Sequence, residues 1–222
     1  MKVLIHLFEY RVLPGHEAEL VGYVRHFVLP AARPAGAASS CVARRLGQGR
    51  PDFVALSAWE DEEACAADID EHGVPRTLLP QASLLVDCRS SLYRVVASVD
   101  LDCDNARILR IYRATIPRDD MEHWQERAVN AAEGLTGRPG LMSVQVGLGA
   151  EIADQPGAVH PDAVQQDAVS MVALTAWRDW DSLIAATGGH LDRGLLETEL
   201  IDLEQPVGAD HYQMLEPDPM PS

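Results

Sequence analysis

The sequence predicts an α+β fold made of two tandem modules, each ordered β-α-β-β-α-β, whose sheets face each other as an intramolecular α+β barrel. Three observations carry this. The run Val54-Ala55-Leu56-Ser57-Ala58-Trp59 returns with one residue changed as Val172-Ala173-Leu174-Thr175-Ala176-Trp177. Each tryptophan is followed thirteen residues later by a histidine, His72 and His190. Around both runs, strand-like alternation and helix-like spacing succeed one another in the same order. A recurrence this long in a chain of 222 residues is architecture.

A shift of 118 maps Trp59 to Trp177 and His72 to His190, and a shift of 119 maps Tyr93 to Tyr212. Upstream, a shift of 102 maps Val42, Leu46 and Gly47 to Val144, Leu148 and Gly149. The difference locates one insertion, a Gly/Pro/Asp/Gln-rich surface loop at 150–165 in the second copy only. The predicted modules are 1–100 and 105–216, followed by a Pro-rich tail at 217–222.

Val3–Val12 alternates as a strand, with Ile5 and Leu7 on one face and His6, Phe8 and Tyr10 on the other; Ile108–Thr115 repeats it with Leu109 and Ile111 against Arg110 and Tyr112. Leu20, Val24, Phe27 and Val28 fall at helical spacing, matched by Trp124, Ala128, Ala131 and Ala132. A Pro/Gly/Ala/Ser-rich passage, Pro30–Ser40, leads to strands at Cys41–Leu46 and Asp52–Trp59. Helices follow at Glu60–Glu71 and Arg178–Thr187. The closing strands run through Leu84–Val86 and Leu92–Val96, mirrored by Leu200–Leu203 and His211–Leu215.

This order is the ferredoxin-like split βαβ unit, an antiparallel sheet with both helices on one face. The repeated aliphatic face Val54, Leu56, Ala58 is expected under the helices. The face carrying His6, Phe8, Tyr10, Ser57 and Trp59 is expected to point into the barrel, where a second sheet or a ligand covers it.

The formal charge is −16, with 10 basic and 15 acidic residues in 1–104 against 8 and 19 in 105–222. Such a field repels a phosphate backbone or anionic lipid, so no nucleic-acid or membrane partner is expected. There is no run of roughly 20 apolar residues and no signal-peptide pattern, which makes a cytoplasmic protein the expectation. Cys41, Cys65, Cys88 and Cys103 lack C-x-x-C spacing and are not duplicated, so they read as reduced thiols without a metal or disulfide framework. No G-x-G-x-x-G, P-loop, H-E-x-x-H or G-x-S-x-G occurs, so no tightly bound cofactor or metal is expected.

At the tryptophan-bearing third strand, followed by an acidic helix and a histidine, the chain resembles the antibiotic biosynthesis monooxygenase family, whose members form dimeric α+β barrels; here the dimer looks fused into one chain. The family's quinone-forming enzymes resemble it at Trp59 and Trp177 but use an asparagine four residues earlier, where this sequence has Ala55 and Ala173. Haem-degrading relatives carry a first-strand asparagine, absent here, and a histidine near the places of His72 and His190. The tandem, acidic chain is also similar to oxygenases that open a ring of angucycline-type polyketides. The resemblance therefore implies an O₂-dependent oxygenase acting on an angucycline- or anthrone-type aromatic polyketide in antibiotic biosynthesis. Reduced flavin, FAD or FMN, would enter as a diffusible co-substrate from a flavin reductase. A non-oxidative polyketide cyclase or isomerase, a haem-binding protein and a non-catalytic binding protein on the same fold stay open, as does homo-oligomer formation.

A flat phenol or quinone needs a slot of aromatic and small residues with a few polar groups aimed at ring oxygens. The candidate lining is Phe8, Tyr10, Ser57, Trp59 and Tyr93 in the first copy, and Tyr112, Thr175, Trp177, His211 and Tyr212 in the second. His6, His72 and His190 are candidate bases near pH 7, and Arg110 a candidate for stabilising an oxyanion. Duplicated tryptophans also serve as core, and His72 and His190, beside Gly73 and Gly189, suit helix C-termini. His6 against Arg110 is the asymmetric pair of most interest, because two fused copies can keep one working site. An Arg or His enclosed in a sheet needs a partner or ligand.

Overall fold

The computed structural model of the chain describes residues 3–31, 36–47, 52–99, 105–149, 168–191 and 206–216. The expected insertion 150–165, the tail 217–222, the strand at Leu200–Leu203 and Cys103 lie outside them. The fold is mixed α/β with eight strands, paired antiparallel, as the sequence predicts. Two compact units divide the described residues: those up to 92 with 213–216, and 93–149 with 168–191 and 206–212. The division falls inside a strand, where the sequence placed it in the 100–105 linker.

The first unit runs β1 (Leu4–Val12), α1 (Glu17–Tyr23), a π-helical turn (Val24–Val28), α2 (Leu29–Ala31), β2 (Ala37–Arg45), β3 (Phe53–Trp59), α3 (Glu62–Asp68) and a 3₁₀ stretch (Arg76–Leu84) into β4 (Leu85–Val99). Its sheet order includes β1-β3-β2. The second unit takes the far half of β4, then β5 (Ile108–Pro117), α4 (Met121–Leu135), β6 (Leu141–Gly149), β7 (Ala168–Trp177), α5 (Trp180–Thr187) and β8 (Pro206–Met214), in the order β8-β5-β7-β6-β4. Asp61 and Asp179 cap α3 and α5 by accepting from Glu63 N and Ser182 N, and Gly188 ends α5 in the left-handed conformation. No described helix is long and apolar enough to cross a membrane.

The two faces of each sheet are the reverse of the expectation. Phe8, Tyr10, Val12, Val42 and Phe53 form one buried cluster with Leu20, Val24 and Val28 of the first helical segment. Tyr112, Ala114, Val146, Ala173 and Trp177 cluster likewise with Trp124, Ala128, Ala131 and Ala132 of α4. The aromatic face is therefore the helix-covered one, and Val54, Leu56 and Ala58 point away from the helices. Aliphatic stripes on the helices pack as well on aromatic rings as on branched chains, since dispersion and area burial are indifferent to which apolar group supplies them.

Phe27, read as part of the helical stripe, is 62% exposed. The wider π-helical turn at Val24–Val28 keeps Val24 and Val28 on the core side and leaves Phe27 outside, against Tyr23 at 5.2 Å between ring centroids. β2 begins at Ala37, inside the passage read as loop, because small residues still pair when β3 offers a partner: Ser40 lies opposite Ser57 and Val42 opposite Ala55. In the second unit Val144 lies opposite Thr175 and Val146 opposite Ala173. Val42 thus corresponds to Val146 and Ser40 to Val144. The shift over β2 and β6 is the same 104 seen for the first strands and helices, not 102.

Candidate functional site

β1 and β3 are in register, with His6 opposite Ser57, Phe8 opposite Ala55 and Tyr10 opposite Phe53. This places His6, Ser57 and, one pleat on, Trp59 side by side on the helix-covered face. Val28 and Leu29 reach over them from the helical segment. The result is a pocket between sheet and helix in the first unit, enclosing about 390 Å³ of atom-free space with the open solvent at its mouth included. Ser40 and Ala55 add to the sheet wall, and Asp68, Pro75 and Thr77 close the side beyond α3.

His6 is buried, and its Nε2 lies 2.9 Å from Ser90 Oγ on β4. Burial lowers the imidazole from its ordinary value of 6.5 to about 4; a hydrogen bond to the Gly73 backbone pulls weakly the other way, as a carbonyl acceptor does. The ring is neutral at pH 7. Trp59 Nε1 donates to Ser57 Oγ at 2.8 Å, which satisfies the indole and fixes both side chains against the wall. Asp68, half-buried at the end of α3, has its carboxyl raised by desolvation, with the Arg76 guanidinium opposing.

The depressed His6 value carries a stability consequence with a definite sign. The unfolded chain takes up a proton at this histidine near pH 6.5, the folded chain only near pH 4. Folded stability from this group is therefore complete above pH 6.5 and is lost as pH falls towards 4, by about 3 kcal/mol. Urea unfolding at both pH values, compared with His6→Gln, should show that extra loss in the wild type; parallel profiles would mean the folded imidazole titrates normally.

The other candidates separate from this cluster. Phe8 and Tyr10 continue along the same face as a ring stack, 5.3 Å apart, with Phe53 beyond at 5.7 Å from Tyr10. They support the pocket floor without lining it, and burial pushes the Tyr10 phenol well above its usual range. His72 is exposed, its Nε2 3.7 Å from Glu71, and His190 is exposed just past α5. Neither is brought to the pocket; the neighbour Gly73 is what touches His6.

In the second unit Arg110 occupies the place of His6, buried, with Nη2 donating to Leu191 O at 3.5 Å. Thr175 and Trp177 reproduce the Ser57–Trp59 hydrogen bond at 2.9 Å. Val144 replaces Ser40 and Trp124 stands where the first unit has Leu20, while Ala128 and Ala132 stand where it has Val24 and Val28. Tyr112 and Trp177 are core residues there. His211 meets the edge of Trp180 at 5.4 Å. Tyr212, its strand neighbour, must point to the opposite face. Tyr93 also lies on the face turned from the helices, since a Cβ on Gly147 would come within 2.7 Å of its own.

Ser40, Asp68, Gly73, Thr77 and Ser90 were not singled out from the sequence. Ser90 is 84 residues from His6, a separation at which only the pairing of β4 beside β1 brings them together.

No family model matches this chain, and no curated protein matches it either. Solved structures show the same fold over both units. An anthrone oxidase-like protein matches with a TM-score of 0.62 at 10% identity, over 97% of this chain and 92% of that one. A Lactobacillus acidophilus protein, provisionally assigned as a monooxygenase, matches with a TM-score of 0.64 at 9% identity, over 96% and 93%. A haem-binding protein from Thermus thermophilus matches with a TM-score of 0.53 at 10% identity, over 98% and 93%. At these identities the likeness establishes that the chain has the ferredoxin-type fold of such proteins.

Proposed function

We infer that the first unit's pocket binds a flat aromatic polyketide, angucycline- or anthrone-like, and that the chain is an oxygenase acting on it. The carrying observation is that a buried, neutral imidazole meets two serines and an indole at this pocket, while the equivalent place in the second unit holds Arg110, with Val144 where the first unit has Ser40. Trp59, Ala55, Val28 and Leu29 supply the apolar walls; Ser40, Ser57 and Thr77 face ring oxygens. His6 accepts a phenolic proton, which raises the ring's electron density towards O₂. The phenolate left by the transfer stabilises the imidazolium formed beside it, which offsets the low basicity that burial gives His6. The fold shared with the anthrone oxidase-like and monooxygenase-assigned proteins supports this chemistry.

The pocket is a slot between sheet and helix walled mainly by apolar atoms, a setting that suits a flat ring system. Reduced flavin, if used, fits the role of a diffusible co-substrate that supplies peroxide chemistry.

Oxygen consumption with a panel of hydroxylated anthrones and angucyclines, each with and without a flavin reductase, tests the reading. Uptake without flavin is the expected result for a cofactor-free oxygenase, and uptake only with it marks a flavin-assisted one. Product formation without oxygen uptake would replace the oxygenase by a cyclase or isomerase. No turnover at all would leave a binding protein, and a Soret band in that case a haem protein.

A further inference from the structure

The pocket has an uneven electrical character. Among its described lining residues Asp68 alone carries a formal charge, since burial keeps His6 neutral near pH 7. Asp68 stands at the C-terminal end of α3, where the helix carbonyls add negative potential. Its neighbour Asp70 is occupied in the turn, accepting from the His72 and Val74 amides. Arg76 faces Asp68, but it is exposed and its Nε donates to Ala67 O at 2.6 Å, which holds it on the solvent side. Desolvation raises the Asp68 carboxyl, the mark of a group in a medium where charge interactions are stronger than in water.

We propose that Asp68 is a specificity-determining residue, making the pocket accept uncharged hydroxylated aromatics and reject their carboxylated counterparts. A phenolic hydroxyl can donate to the Asp68 carboxylate; an aromatic carboxylate brings like charge to it in a partly desolvated space with no cation among its described lining residues. The enzyme then acts after any carboxyl group on the aromatic precursor has been removed or esterified, so the class of reaction that supplies its substrate is a decarboxylation or an ester-forming transfer. This inference rests on the pocket being the substrate site and is independent of what chemistry follows.

Calorimetric binding of 1,8-dihydroxyanthraquinone and of its 3-carboxylic acid to the full chain tests it. In the wild type the acid should bind at least about tenfold more weakly, a difference of about 1.4 kcal/mol. In Asp68→Asn the gap should shrink to about threefold or less, chiefly through a gain for the acid, with urea unfolding of the variant as the control for folding. Equal binding of the two by the wild type, or a gap that survives Asp68→Asn, would overturn the proposal. Failure of both to bind would overturn it together with the aromatic site. A preserved gap with no oxygen uptake would remove the oxygenase reading and leave the selectivity standing.

Discussion

Replacing His6 with glutamine is expected to lower turnover of an aromatic substrate about 10²–10⁴-fold, the range for losing a positioned proton acceptor. Glutamine keeps polar atoms near Ser90 and the Gly73 backbone but has no basicity, so binding of the neutral ligand should change little. The loss should fall on kcat. His72→Ala and His190→Ala, both at exposed positions, should leave turnover within about twofold, within the scatter of surface substitutions. Steady-state rates of the three variants decide it: a His6→Gln enzyme within tenfold of the wild type would exclude this imidazole as the base. A collapse in His72→Ala would move the chemistry to the surface turn.

The second large effect is structural and lies directly behind that imidazole. Gly73 has φ of +76°, and a Cβ placed on it would sit 2.4 Å from both Cβ and Oγ of Ser90. Gly73→Ala therefore combines a left-handed conformation for a residue with a side chain, about 1–2 kcal/mol, with overpacking against a short side chain, about 1–3 kcal/mol. We expect about 2–5 kcal/mol of destabilisation in urea unfolding, with the Ser90 hydroxyl displaced from His6. Gly15→Ala separates the two contributions, because Gly15 has φ of +89° with nothing within 4 Å, and should cost only the conformational part, about 1–2 kcal/mol. Equal losses at the two positions would mean Ser90 moves aside freely, and its hold on His6 would then be weak.

What the sequence made legible follows from which interactions are local. Recurrence of the tryptophan run located β3 and β7, and alternation marked β1 and β5 as the first strand of each module. The α4 stripe from Trp124 to Ala132 was readable because its four apolar side chains fall on one helical face, which Leu135 extends. Alternation distinguishes two faces, however, without saying which one a helix covers. Polar and aromatic residues on one face suggested a barrel lining, whereas His6, Ser57 and Trp59 face the helical segment of their own unit. Three candidates thus lie at one pocket for a reason other than the expected one. Ser90 and Gly73 were invisible because what matters about them is distance across the fold, and Ser90 looks like any other serine in a strand. The histidine beside Gly73 drew attention as a titratable residue, while its glycine neighbour has the structural role.

The exchange of His6 for Arg110 at equivalent places bears on how such a chain can change over generations. In an assembly of two identical subunits, any substitution is made twice, and a residue that improves packing in one copy removes the catalytic group in both. Joining the copies in one gene releases that constraint. One half is free to gain bulk at Trp124 and lose a hydroxyl at Val144 while the other keeps its imidazole and serines. A chain built by repeating residues of the first half would hold the buried imidazole twice, and one built by repeating the second would hold Arg110 in both places.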